Sequence, residues 1–242
     1  MKKMKNLTVV ALTVAGALFI ARYSSGAAGS QPTPTPTAET KADAKNVGIM
    51  IFNGLFITEF AAPFDVYKHT GDKMNVFTVG FTKDPIKTYE GVVLQPDFSM
   101  KDAPKIDIFV VPSGLESQAK DLENKDYMAF VAKTAQSATY ATSHCWGAFT
   151  LAGAGCLKGL DCTTFPSSID DLQKKFPDVK THKDARFIVS GKFVTSNGGL
   201  AAFEAATYVV EHVLGKEAAD KVADGLVFTK ENRANSAGPA AH

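Results

Sequence analysis

The 242-residue sequence lacks the side-chain spacings of a dedicated metal site: neither Cys-x-x-Cys nor His-x-x-x-His occurs, and only three cysteines are present. It also lacks an excess of either charge, with 26 Lys and Arg against 25 Asp and Glu. No basic helix interleaved with aromatics and no acidic tail stands out, so the electrostatic footprints of a nucleic-acid binder and of a partner for basic proteins are missing. No internal repeat is found, which sets aside repeat architectures. The remainder is ordinary globular composition, 45% hydrophobic and 21% charged, enough for one good-sized domain or two small ones. No metal, no cofactor and no nucleic-acid partner is expected.

What is there begins with a targeting segment. MKKMKN is basic, and Leu7 to Ala21 is an apolar core too short for a comfortable membrane span. Small residues follow, with a plausible cleavage point near Ala27 or Ala28. Residues 1–28 thus read as an export signal to a periplasmic location. The alternative is an uncleaved signal anchor in the inner membrane, because Arg22 and Tyr23 interrupt the approach to the cleavage point. No cysteine follows the apolar core, so no lipoprotein anchor is expected. Residues 29–45, with alternating Pro and Thr, read as an extended linker. Residues 46–230 form the folded domain and residues 231–242 a polar tail. In an oxidising compartment three cysteines leave at least one thiol unpaired. Cys156 and Cys162 either pair across LKGLD or serve as small buried hydrophobes.

Within the domain, strand-like apolar runs alternate with helical patterns. NVGIMIF, MNVFTVGF, Val92–Leu94, KIDIFVVPSG and TYAT read as strands. So does CTTF, and RFIVSGKFVTS reads as a hairpin around Ser190-Gly191. Helices are predicted from Thr58-Glu59 through Tyr67, over KDYMAFVAKTAQS, over SSIDDLQKKF behind a Ser167-x-x-Asp170 capping box, and over LAAFEAATYVVEHVL closed by Gly215. Fully apolar strands alternating with helices argue an α/β fold, a mostly parallel sheet with helices on both faces. Sites in such sheets form at the carboxyl ends of the strands. Three segments end there with chemistry to offer: Glu59, Pro112-Ser113-Gly114 and His144-Cys145-Trp146.

The last of these has the pattern of a nucleophile elbow. A strand leads to Cys145, a small-residue helix follows, and Ser143 and Gly147 stand two residues before and after, where the backbone closes on itself. A helix N-terminus under the sulfur favours a thiolate. The Trp146 N–H points to where an oxyanion forms, and Gly114 is a candidate second donor from the neighbouring strand. The competing reading is a buried, inert cysteine after a strand. His144 leaves the elbow in a diverging direction and is assigned a packing or supporting role. Asp184, with His182, precedes a strand and has a route to the same end of the sheet. Phe165 is a core residue or a pocket wall, or both.

These residues resemble the ThiJ/PfpI superfamily, whose fold is the flavodoxin-like three-layer sandwich of class I glutamine amidotransferases. VGIMIFNGLFITEFAAPFDVY is similar to its first strand and helix, IDIFVVPSG to its Pro-Gly-Gly turn with Ser113 in place of the first glycine, and SHCWGAFTLAGAGCLKGLDCTTF to its elbow. FVTSNGGLAAFEAATYVVEHVLG is similar to its closing turn and last long helix. The branch is that of isonitrile hydratases and of sensor-like domains of transcription regulators. The resemblance implies Cys145 as nucleophile, Glu59 as the acid bonded to it, backbone oxyanion donors at Trp146 and Gly114, and a homodimer. Two departures, Trp146 after the cysteine and Phe165 where relatives carry histidine, imply a smaller or more apolar pocket than that of isonitrile hydratases. The function expected is a cysteine-dependent hydrolase or hydratase of a small electrophile. The alternatives are a redox sensor using the same cysteine and a small-ligand-binding domain without turnover.

Overall fold

Two of the most apolar runs of the domain, NVGIMIF and IDIFVV, lie side by side at the centre of a parallel sheet. In the computed structural model, which describes residues 44–227, the chain runs β1 (Lys45–Met50), α1 (Ile57–Lys68), β2 (Met74–Gly80), β3 (Ile86–Lys87), β4 (Val93–Leu94), β5 (Phe98–Ser99) and β6 (Ile108–Val111). It continues through α2 (Lys120–Glu123), α3 (Lys125–Ser137), β7 (Tyr140–His144), α4 (Gly147–Gly153), β8 (Asp161–Cys162), α5 (Ile169–Lys175), β9 (Lys180–Thr181), β10 (Phe187–Ser190), β11 (Phe193–Ser196), α6 (Leu200–Leu214) and α7 (Lys216–Gly225). The predicted export segment, nearly all of the linker and the tail lie outside the described residues. Among the described residues no helix is long and apolar enough to cross a membrane.

Seven strands form the main sheet in the order β10-β11-β7-β6-β1-β2-β5, all parallel except the β10–β11 hairpin. Strand β1 sits between β6 and β2 because Val47, Ile49 and Met50 are apolar and wholly buried, as a parallel strand covered on both faces demands. Ile108, Phe109, Val110 and Val111 fill β6 in the same way. Helices α1, α6 and α7 pack together as one outer layer, and α2, α3 and α4 as the other. The α/β sandwich predicted from the alternation of strands and helices is the observed fold.

Several local readings change. The Ser167 capping box does not form: Ser168 is the residue preceding α5, and no side chain caps it. The CTTF run is a strand only at Asp161–Cys162, because Thr163 and Thr164 turn away to make side-chain bonds. Helix α7 was not foreseen; its buried stripe is Ala218, Ala219, Val222 and Ala223, too small to stand out as hydrophobic. Cys156 and Cys162 are both free thiols rather than a pair, Cys162 fully buried and Cys156 half-buried.

The chain leaves β1 toward β2 on one side and later returns to β6 on the other. That reversal opens a crevice at the carboxyl ends of β1 and β6, where open α/β sheets bind ligands.

Candidate functional site

The loops leaving β1 and β6 are tied to each other across this crevice. Phe56 N–H donates to the Ser113 carbonyl at 3.0 Å, and Leu115 N–H to the Gly54 carbonyl at 3.1 Å. Beside them, Cys145 follows the last residue of β7 with φ of +53°, one of two non-glycine residues in the left-handed region among the described residues. Such a conformation costs on the order of 1–3 kcal/mol and persists only where the surroundings impose it. Here they do: Cys145 N–H donates to the Ser196 carbonyl at 3.0 Å, and its own carbonyl accepts the Thr164 hydroxyl at 2.7 Å. The chain then folds so tightly that a Cβ on Gly147 would lie 2.1 Å from the Val111 carbonyl oxygen. The small residue that the elbow requires is therefore a glycine and nothing larger.

Glu59 reaches the same point from the first turn of α1. A carboxylate there ordinarily caps the helix, but that task belongs to Glu90, whose oxygens accept the Ile57 N–H at 3.1 and 3.2 Å. Glu59 is instead buried, 7% exposed, with Oε1 accepting the Gly199 N–H at 3.0 Å and Oε2 shut off from water with no partner among the described residues. The turn between β11 and α6 is the lid over both groups. A Cβ on Gly198, whose φ is +88°, would fall 2.6 Å from the Cys145 Cβ and 2.8 Å from each Glu59 oxygen. Cys145 and Glu59 thus occupy one buried space, 86 positions apart in sequence (145 − 59).

Their protonation is set by that burial. Desolvation pushes the Glu59 carboxyl up to about 7, against the pull of the Gly199 N–H. The Cys145 thiol is pushed up to about 11, first by burial and then by the Glu59 charge, while the Ser113 hydroxyl and the Trp146 N–H draw it down. The helix N-terminus alone suggested a thiolate; at this site the loss of water and the adjacent carboxylate outweigh it. The two groups titrate as a pair that between these values holds a single proton.

The Trp146 N–H is one of the two groups that draw the thiol's pKa down. The Gly114 N–H is engaged elsewhere: it donates at 2.9 Å to the Ser117 hydroxyl, and a Cβ on Gly114 would strike the Phe52 ring at 2.7 Å. This glycine is required for the close approach of the β1 and β6 loops, and its amide is bound within its own turn.

His144 is wholly buried, with Nδ1 2.8 Å from the Ser196 hydroxyl and Nε2 unpartnered. Burial drives its pKa down to about 3, so it stays neutral. Its link to the site is indirect, through Ser196, whose carbonyl holds the Cys145 N–H. Phe165 is 41% exposed and meets the edge of the Trp146 ring at 6.3 Å between centroids. Phe56 meets the same indole at 5.7 Å, and Ser168 accepts its Nε1–H at 2.9 Å, which fixes the ring plane. Asp184 is exposed on the bend before β10 and bonds to neither Cys145 nor Glu59. His182 pairs with Asp161 at 2.6 Å instead. Thr164, Ser196 and Glu90 were not foreseen as supports. The Asn197-Gly198-Gly199 run reads in the sequence as the tight turn into the last helix, with lining the pocket as a second role, and Gly199 does bond Glu59. Among the described residues no group of His, Cys, Asp and Glu is arranged to hold a metal ion.

The class that the fold and site define is a doubly wound α/β sandwich with a cysteine at a sharp strand-to-helix turn and a buried carboxyl against it, at the sheet's switch point. Residues 45–212 match the DJ-1/PfpI family, and the chain belongs to that family. It is similar to an isonitrile hydratase of Pseudomonas putida, 27% identical over 179 residues that cover 74% of this chain and 76% of the relative. It is equally similar to the Parkinson disease protein 7 homolog of Danio rerio, 27% identical over 188 residues, 76% of this chain and 97% of that one. Among solved structures, DJ-1beta of Drosophila melanogaster superposes with a TM-score of 0.70 at 24% identity, over 77% of this chain and 99% of that one. That likeness is one of fold.

Proposed function

We propose that this chain is an exported, cysteine-dependent hydrolase or hydratase of a small electrophile, with Cys145 as nucleophile and Glu59 as proton carrier. The observation that carries the reading is the pair itself, a thiol on a strained crest sharing one dry space with a carboxyl held near neutrality. In the singly protonated pair, Sγ bonds to an electrophilic carbon and the thiol proton passes to the Glu59 carboxylate. The electron pair of the carbon–heteroatom bond moves onto the heteroatom, beside the Trp146 N–H. Glu59 returns the proton there. Water then adds to the same carbon, an O–H bond of the water breaks with its proton taken by Glu59, and as the C–S bond breaks Glu59 passes that proton to the departing sulfur, which restores the thiol. Phe56, Trp146 and Phe165 build an aromatic wall next to the elbow, which favours a substrate with an apolar body.

Two further features belong to the proposal. Export rests on the basic start and apolar core of residues 1–28, and a homodimer on the family resemblance together with exposed Tyr89, Val92, Val93, Leu115 and Phe165. The competing redox-sensor reading asks for a resting thiolate, and burial and the Glu59 charge act against one.

Turnover of a panel of isonitriles, nitriles and activated acyl compounds by the full chain tests the proposal. Cys145→Ser is expected to abolish activity, and Glu59→Gln to lower it about 10²- to 10⁴-fold. Activity that survives Cys145→Ser contradicts it.

A further inference from the structure

We infer that the Ser113 hydroxyl is a third working member of the site, donating a hydrogen bond to the Cys145 sulfur as that atom takes up negative charge; the inference rests on the reading of Cys145 and Glu59 given above. Ser113 stands one residue beyond Pro112 in the turn that leaves β6, and it is 0% exposed. Its backbone is committed, since its carbonyl accepts the Phe56 N–H at 3.0 Å. Its Oγ is cut off from water and has no hydrogen-bond partner of any kind among the described residues. A hydroxyl buried in that way is rare, because the desolvation of a donor is ordinarily repaid by a hydrogen bond.

The elbow presses directly on this turn. Val111 pairs in register with Ser143, two residues before the cysteine. The Cβ position of Gly147, two residues after it, is 2.1 Å from the Val111 carbonyl oxygen and 3.0 Å from that of Pro112. Continued by two residues, that register sets Ser113 opposite Cys145, and the Ser113 hydroxyl is among the groups that draw the thiol's pKa down. The adjacent Gly114 amide is held at 2.9 Å by Ser117 Oγ, itself fully buried, so that amide is withdrawn from service. The serine hydroxyl supplies the donor that the turn otherwise lacks. No proton leaves Ser113: the thiol proton goes to Glu59 and comes back, and the hydroxyl only reorients toward the charge.

The test is an ultraviolet thiolate titration of the full chain, with the Cys145→Ser spectrum subtracted to isolate one thiol of three. Ser113→Ala and Ser113→Gly, which differ in packing but both remove the hydroxyl, are expected to raise the Cys145 midpoint alike. The expected rise is about one pH unit, a roughly tenfold loss of thiolate at fixed pH. Thermal midpoints should stay level or rise, because an unpaired buried hydroxyl is removed. Glu59→Gln serves as the second arm and should lower the midpoint. A midpoint unmoved in both Ser113 variants while Glu59→Gln shifts it overturns the role of Ser113 and leaves the Cys145–Glu59 reading standing. The same holds for a shift in only one of the two Ser113 variants, which marks a packing effect. No shift in any of the three variants removes the underlying pair as well.

Discussion

At the scale of single residues, Glu59 and His144 are both buried ionisable groups, and they act on stability with opposite sign. The Glu59 pKa is raised from 4.5 to about 7, so the folded chain binds more protons than the unfolded one between those values. Stability from this group is complete below pH 4.5 and is lost as pH rises toward 7, by roughly 3 kcal/mol in all. His144 has its pKa lowered from 6.5 to about 3, so its contribution is complete above pH 6.5 and is lost as pH falls toward 3. Between about pH 4.5 and 6.5 the two slopes oppose each other. Denaturant unfolding across pH should therefore show a flat stretch from these groups in the wild type. In Glu59→Gln it should become a continuous rise from acid to neutral pH, and a profile unchanged by that substitution contradicts the assignment.

At the scale of elements, the site depends on turns more than on helices. Gly198 is the clearest case, since it lies against both reacting groups in a left-handed conformation. Gly198→Ala is expected to destabilise the fold by about 2 kcal/mol or more, from strain and overlap together, and to abolish turnover by separating Cys145 from Glu59. Thermal melts beside activity assays check this; a variant with normal melting and normal activity rules it out. The elements differ in how legible they were. Helix α3 is bounded by Asn124, whose side chain accepts the Tyr127 N–H, and α6 by Gly215 with φ of +89°, so both were readable from local signals to the residue. Cys145 and its elbow were readable too, because small residues at fixed offsets are a local requirement. The engagement of Gly114 by Ser117 was not, nor was the bond of Thr164 to the Cys145 carbonyl, since neither partner is marked in its own neighbourhood. The strand and helix pattern put Glu59 at the right end of the sheet, and only the family resemblance set it beside Cys145. On its own it reads as a helix-capping acid, and nothing local reveals that Glu90 has taken that role.

At the scale of the molecule, the strand order brings five separate segments to one edge of the sheet: the loops after β1, β6, β7 and β11, and the Thr163–Phe165 stretch. The parallel sandwich was legible because apolar strands and amphipathic helices alternate in sequence. The order of the strands was not, because it depends on which pairs bury surface together. Export and pairing belong to this scale as well. Fractionation of the source cell type is expected to find the chain outside the cytoplasm, with a mature start just after Ala27 or Ala28. Sedimentation is expected to give the mass of two chains. A cytoplasmic chain beginning at Met1, or a monomer at micromolar concentration, contradicts those parts of the proposal.

The most direct test of the central claim, that Cys145 and Glu59 form one coupled buried pair, is the pH dependence of Cys145 alkylation, followed by peptide mass so that Cys156 and Cys162 do not contribute. In the wild type the reactivity midpoint should lie well above the ordinary thiol value of 9, near 11, and it should fall in Glu59→Gln as the adjacent charge is removed. A midpoint at the ordinary value that does not respond to the substitution contradicts the account.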